Sequence, residues 1–470
     1  GMLRSGLSVS RSLKNVRFAQ TSAVSGFVPD FTGKVYNQEA QVQKEQGRVT
    51  VSVIPNNSSM ASVTLRVKSG SRFETEENNG ANNLLQHVAF TSKTNNAPTV
   101  AEAFEKFGAI VNVSSSREDT TFTVSTENGD IKSAIEILGE MVSGLSNLSG
   151  EQLEAVRPRV IQHKNAVSNC KYSRSMDHLH SIIYQQDTLG LTKEGTLANL
   201  QSLDAKSLSN FASKNYSNSA MTLGVAGNVN ASEVWDAACA AFPLEKSGSE
   251  FVEPATAKYY GSIVTDRDDS NDNVIFTVGY EGVSISDPRM YPIMVVKELI
   301  GDFSKYSGAA NNHSGRLAEF VATEGICDSF NCFNQMYTDC GVFGVTLVSQ
   351  GKHLDTLVGS TVSEFVRLAH NARPAEVERA KVKLQNKILA AHNGPDALSQ
   401  HSAFYSSHDV FPPSLSDMMN DISNVSLDDI RETCGEYFTD TEPAVVAIGS
   451  TRRAPDYNQV RGWTHWWRIQ

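Results

Sequence analysis

The sequence predicts an α+β protein made of two homologous α/β-sandwich domains of roughly 210 residues each, related by internal duplication. Three observations predict it. The 470 residues are too many for one ordinary core. Strand-like runs of period two are grouped with amphipathic helices, without the regular alternation of a parallel βαβ protein. The order and sizes of these elements then recur after a segment rich in Glu, Lys, Ser, Gly and Pro.

The elements follow in order. Val49, Val51 and Val53 alternate with Thr50 and Ser52, and Val63, Leu65 and Val67 repeat the pattern after Pro55-Asn56-Asn57, so two antiparallel strands joined by a turn are expected. A helix opens at Gly80-Ala81. A second starts at Thr99-Val100-Ala101-Glu102, a capping box, and stops at Gly108. Strands are expected around 110–114 and 121–126. Ile131, Ala134, Ile135, Leu138, Met141 and Val142 make one apolar helix stripe that must lie on a sheet. Helices over 150–169, 175–186 and 205–216 precede a strand at 221–225. The interdomain linker is placed at 243–258, between an N-terminal domain at 30–242 and a C-terminal domain at 259–470.

In the second half, Val274 to Val278 and the helix Tyr291 to Ile300 echo Val63 to Val67 and the helix after Gly80. Phe320 to Gly325 echoes Phe104 to Gly108. Arg373-Pro374-Ala375-Glu376 opens a long helix as Gly150 does.

Residues 1–26 carry Arg4, Arg11, Lys14 and Arg17, many serines and no acid, and no apolar core of a secretory signal, which reads as a mitochondrial transit peptide removed near Arg17-Phe18-Ala19. Without it the charge is 37 basic against 52 acidic residues, about −15, which disfavours nucleic acid as a partner. The longest apolar helix candidate, Tyr291 to Ile300, is short and contains Lys297 and Glu298, so membrane attachment would have to come through partners. Cys170, Cys239, Cys327, Cys332, Cys340 and Cys434 form no Cys-x-x-Cys pair and read as reduced thiols.

The chemistry-bearing stretch is Asn82-Asn83-Leu84-Leu85-Gln86-His87. A helix with His at i, Glu at i+3 and His at i+4 sets two zinc ligands and a general base on one face. Here those positions hold Asn83, Gln86 and His87. An amide is a poor zinc ligand beside imidazole, and an amide at 86 cannot take a proton from water. In the second half Val295 and Val296 occupy the corresponding helix.

On these residues the chain resembles the pitrilysin or insulinase superfamily, and within it the β-type mitochondrial processing peptidases and the core protein 1 subunits of ubiquinol-cytochrome c reductase, complex III. The resemblance runs from about residue 30 to the end. It is carried by Gly70-Ser71-Arg72-Phe73-Glu74, Asn83 to Phe90, Ser116-Arg117-Glu118, Tyr216, Met221 and Gly227, and by Phe333-Asn334, Tyr337, Asp339, Gly341 and Gly344. The ending Asp456 to Arg461 with Trp463, Trp466 and Trp467 is similar to the core protein 1 tail.

The resemblance implies a third zinc ligand at His163 and an accessory acid at Val156, so four of five polar site positions, 83, 86, 156 and 163, are changed. Zinc is therefore expected to be absent, with His87 and His163 as weak metal candidates, and no catalytic residue is assigned. Residues 300–314 lack a long glycine-rich loop, unlike the α-type subunits. The implied role is a non-catalytic structural subunit of complex III at the matrix side of the mitochondrial inner membrane. Its partners would be an α-type core protein 2 subunit, cytochrome b, cytochrome c1 and the iron-sulfur subunit, with Trp463, Trp466 and Trp467 as candidate docking residues. The alternative is a non-catalytic presequence-binding or regulatory subunit of the processing peptidase.

Overall fold

The computed structural model describes residues 39–465, apart from 96, 186, 187, 245–250, 252, 271 and 309–314. The expected transit peptide, Trp466, Trp467 and part of the expected linker lie outside the described residues. Residues 253–258 of that linker carry neither helix nor strand.

The first half contains β1 Gln41–Gln43, β2 Thr50–Pro55, β3 Met60–Val67, α1 Ala81–Val88, α2 Val100–Glu105, β4 Ile110–Ser115, β5 Thr120–Glu127, α3 Ile131–Gly144, α4 Gly150–Asn169, α5 Lys171–Ile183, α6 Leu197–Ser202, α7 Ala205–Asn215, β6 Met221–Gly227 and α8 Ala231–Ala241. The second contains β7 Ile263–Arg267, β8 Asn273–Gly282, α9 Met290–Ile300, β9 Asp302–Ser304, α10 Arg316–Glu324, β10 Ser329–Met336, β11 Gly341–Gln350, α11 Leu354–Asn371, α12 Pro374–Ala391, α13 Pro395–Ser407, α14 Leu415–Asn424, α15 Leu427–Phe438, β12 Ala444–Gly449 and α16 Tyr457–Trp463.

The sheets run β1-β2-β6-β3-β5-β4 and β7-β12-β8-β11-β10-β9. A shared five-strand core, β2-β6-β3-β5-β4 against β7-β12-β8-β11-β10, keeps one parallel pair and otherwise antiparallel pairs in both halves. The sixth strands differ: β1 covers β2 in the first sheet, and β9 covers β10 in the second. This duplication is what the recurring sequence pattern predicts. The expected hairpin between β2 and β3 does not form, because β6, some 160 residues later, is inserted between them. Alternating valines report half-buried strands but not which strand pairs with which.

The packing boundary also departs from the chain boundary. Helix α5, which begins at Lys171 rather than 175, packs Leu179, Ile183 and Tyr184 with Val446 and Ile448 of the second sheet. Helix α13 crosses the first sheet instead, over β6, β3 and β2. A Cβ on Gly224 would stand 2.2 Å from the Ser399 carbonyl oxygen, so glycine lets helix and strand backbones touch.

Both exchanged helices meet a buried hydroxyl pair. The Thr64 hydroxyl lies 2.8 Å from Ser399 and 3.2 Å from its cross-strand partner Thr123. The Thr277 hydroxyl lies 2.7 Å from Ser175 and 3.1 Å from its own partner Thr346. A hydroxyl both donates and accepts, so the members of each trio serve one another, and in the first Ser399 also reaches Ser62 and the Asp396 carbonyl while Thr123 accepts from Gln400.

The halves are further joined by Arg72. Its guanidinium, 3% exposed, pairs with Glu118 and forms a two-pronged bond to Asp339 at 2.8 and 2.6 Å. Glu118 in turn accepts from the Thr338 backbone N–H at 3.1 Å. Trp463, a candidate docking residue, is half-buried on its own half, its ring 3.5 Å from where a Gly359 Cβ would be. Of the cysteines, Cys327, Cys332 and Cys434 are buried, Cys239 and Cys340 part-buried and Cys170 exposed, all as free thiols.

Candidate functional site

The site is set by α1. Gly80 precedes it at φ 105°, a conformation that favours glycine, and the buried Glu74 carboxylate takes the helix's free N-terminal donors. It accepts from the Asn79 side chain at 2.8 Å, the Gly80 N–H at 2.9 Å and the Asn82 N–H at 2.7 Å. Burial lifts this carboxyl to about 7, against the pull of those donors. Asn82 anchors the opposite face, donating to Ser115 at 3.1 Å and Thr120 at 2.8 Å.

The motif residues are thereby held rigidly, but in an arrangement of amides. Asn83, fully buried, donates to the Glu194 backbone oxygen at 3.0 Å and to its carboxylate at 3.4 Å. Gln86 donates to the Asn83 side-chain oxygen at 2.6 Å. Both faces of the Asn83 amide are therefore used inside the protein.

His87 and, from α4, His163 face each other edge to face with ring centroids 6.4 Å apart. His163 Nδ1 lies 3.7 Å from Glu194 Oε2, and its side chain is 52% exposed. Burial, then Arg159 and His163, lower the His87 pKa below its usual value, so its ring is neutral at pH 7. Val156 packs partly buried against the first core. The structure thus brings together Asn83, Gln86, His87 and His163, and leaves Val156 as a packing residue.

Zinc requires three or four N, O or S ligands at about 2.0–2.3 Å. The position that should supply the first ligand holds an amide whose oxygen is taken by Gln86, and among the described residues no group of three His, Cys, Asp or Glu is arranged to hold a metal. The residues present do not fit the ion, and an amide at 86 supplies no general base.

Sequence reasoning did not find Glu194, Lys193 or Arg159. Glu194 sits in the loop before α6 with its side chain only 7% exposed, and nothing in Thr-Lys-Glu-Gly marks it as buried. Together with Gln86, His87, Phe90 and His163, these residues line a cavity of about 660 Å³ beside β4. A second cavity, about 760 Å³, lies on the other face of β4 between the halves.

Comparison with known proteins agrees with this architecture. A model described as insulinase (peptidase family M16) matches residues 49–197, and one described as the peptidase M16 inactive domain matches 202–384. The chain is 28% identical over 416 residues to the mitochondrial-processing peptidase subunit beta of Dictyostelium discoideum, covering 87% of this chain and 88% of that protein. With the Bos taurus subunit of the same name it shares 29% over 424 residues, covering 88% and 85%. In three dimensions it superimposes on a chain of Candida albicans complex III2, Inz-5 bound, with a TM-score of 0.82 at 22% identity, covering 90% of this chain and 99% of that one. A Helicobacter pylori protease gives a TM-score of 0.76 at 17% identity, covering 88% and 99%.

Proposed function

We propose, from the premise that this chain belongs to the insulinase family, peptidase M16, that it is a non-catalytic core subunit of mitochondrial complex III, supporting assembly on the matrix side. The observation that carries the loss of catalysis is the amide at Asn83, whose two faces bind Glu194 and Gln86 instead of a metal. Losing a general base alone costs about 10²- to 10⁴-fold, and here a ligand position is lost with it.

A chain of complex III2 shares this fold, which is compatible with the core-subunit assignment. No helix among the described residues is long and apolar enough to cross a membrane, which is compatible with a peripheral subunit held by an α-type core protein, cytochrome b, cytochrome c1 and the iron-sulfur subunit. The test is a native gel of solubilised mitochondria. Migration with the haem of cytochromes b and c1 is expected, whereas a soluble heterodimer with an α-type peptidase subunit refutes the assignment.

A second reading, a non-catalytic presequence-binding subunit of the processing peptidase, is favoured by the β-subunit relatives and by the open cavities beside β4. Both readings predict no cleavage. Purified with an α-type partner and zinc, cleavage of a presequence peptide that Gln86→Ala abolishes would overturn them together.

A further inference from the structure

Helix α16 lies along α11 in a fixed register. The Gln459 side chain donates to Asp355 at 2.6 Å, and the Trp463 ring lies 3.5 Å from where a Gly359 Cβ would stand. Four residues on one helix match four on the other, so the two run parallel. Asp440 fixes the rotation of α16 from its other side. It pairs with Arg461 at 2.6 Å, lies 3.3 Å from His465, and donates its backbone N–H to the Thr464 carbonyl at 3.1 Å. Val460 is fully buried in the second core.

The helical path runs on past Trp463. Thr464 has φ −73° and ψ −9°, and the N–H groups of Thr464 and His465 donate to the Arg461 and Gly462 carbonyls at 3.3 and 3.5 Å. His465 is the last described residue, and Trp466 and Trp467 follow it in the sequence. At 3.6 residues per turn, a continued helix points Trp467 about 40° from the direction of Trp463 and Trp466 about 60° to its other side. Trp467 would then stand about 6 Å further along α11 than Trp463 does. Four residues beyond Gly359, that register position is Ser363.

Ser363 lines a cavity of about 670 Å³ between α10 and α11, and Trp463 forms part of its wall. The α11 side of this groove is built from small residues, Gly359, Ser360 and Ser363. The α10 side presents Phe320, a large apolar side chain left 37% exposed, and Arg316, whose guanidinium is 55% exposed and 3.9 Å from Glu364. A small-residue floor, an aromatic wall and a cation at the rim suit an indole ring, which buries about 150–250 Å² and binds cations over its face.

We propose that the segment beginning at Trp466 continues α16 by one turn and seats the Trp467 ring over Ser363, in the groove between α10 and α11. The groove is then filled by the chain's own tail, and Trp467 serves the second half of this chain instead of docking a partner. The inference rests on the register of α16 and holds whichever assembly the chain joins.

The test is fluorine NMR of the full-length chain labelled with 5-fluorotryptophan, with the Trp467 resonance assigned by Trp467→Phe and a neutral gadolinium chelate added to broaden exposed rings. Trp467 should broaden far less than free 5-fluorotryptophan, and its resonance should shift in Phe320→Ala, where a neighbouring ring is lost. In Ser363→Leu, where the seat is filled, it should broaden as the free amino acid does. The Trp235 resonance, from α8 in the first half, should stay in place in both variants and so verifies folding. Spectra should not change on dilution. A Trp467 ring as accessible as the free amino acid in the unaltered chain, a Trp467 resonance indifferent to both groove variants, or one that shifts on dilution because the tail sits in a second copy would each overturn the proposal.

Discussion

Replacing Arg72 with Met removes the cation that ties the two halves together. In the native chain the guanidinium is 3% exposed and serves Glu118, both oxygens of Asp339, and the Ala255 carbonyl at 3.1 Å. Its loss leaves two carboxylates facing each other with Thr338 and the Ala257 N–H as remaining donors. Removing one partner of a buried pair costs about 3–5 kcal/mol, and urea unfolding at pH 7.5 should return a deficit of that size. The pH dependence gives a second reading. Arg72 holds Asp339 below the usual carboxylate range, so the stability that this acid contributes is present above its unfolded pKa and is lost as pH falls through the lowered folded value. In the variant both acids lose their cation while staying buried, their folded pKa values rise, and protonation relieves the repulsion. The deficit must then shrink between pH 7.5 and about pH 5. A deficit below about 1 kcal/mol, or one equal at both pH values, would refute the view that this pair is a buried latch.

Other perturbations follow from the same geometry. Glu74→Gln puts an amide N–H against helix donors and should lower stability by about 1–3 kcal/mol in urea titrations. Because the native carboxyl is raised from 4.5 to about 7, it contributes a loss of stability as pH rises through that interval, and melting temperatures between pH 4.5 and 7.5 should show that slope weakened in Glu74→Gln. Gly224→Val drives a side chain into Ser399 and Ala403 of α13, and calorimetry should report destabilisation of about 1–3 kcal/mol or more. Dialysis against a chelator should leave the native melting temperature unchanged. Stoichiometric zinc binding, read by metal analysis, should require Asn83→His and His163→Glu, which restore the ligand set while Gln86→Glu would restore only the base, and tight binding by the unaltered chain would contradict the site described above.

The duplication was legible because strand period, helix stripes and caps are local signals that recur. Thr99, for instance, does cap α2 by accepting from the Glu102 N–H at 3.2 Å. Strand order was not legible, since the insertion of β6 between β2 and β3 is decided by contacts across more than 150 residues. Nor was the helix exchange. The apolar stripe of α5 reads identically whichever sheet lies beneath it, and the Ser399 and Ser175 hydroxyls acquire meaning only opposite Thr64 and Thr277. At the site, the residue types at 83, 86 and 87 were readable from spacing alone. The inward turn of Glu194 was not, because a carboxylate in a polar loop is ordinarily solvated.

The helix exchange also governs the order in which the molecule can be completed as it folds. Strand β6, which closes the first sheet, ends at Gly227, but the helix that covers that sheet's far face ends at Ser407, 180 residues later. Until α13 is in place the first sheet leaves Thr64, Thr123 and Gly224 uncovered, an obstacle to dividing the chain into two independently folding pieces.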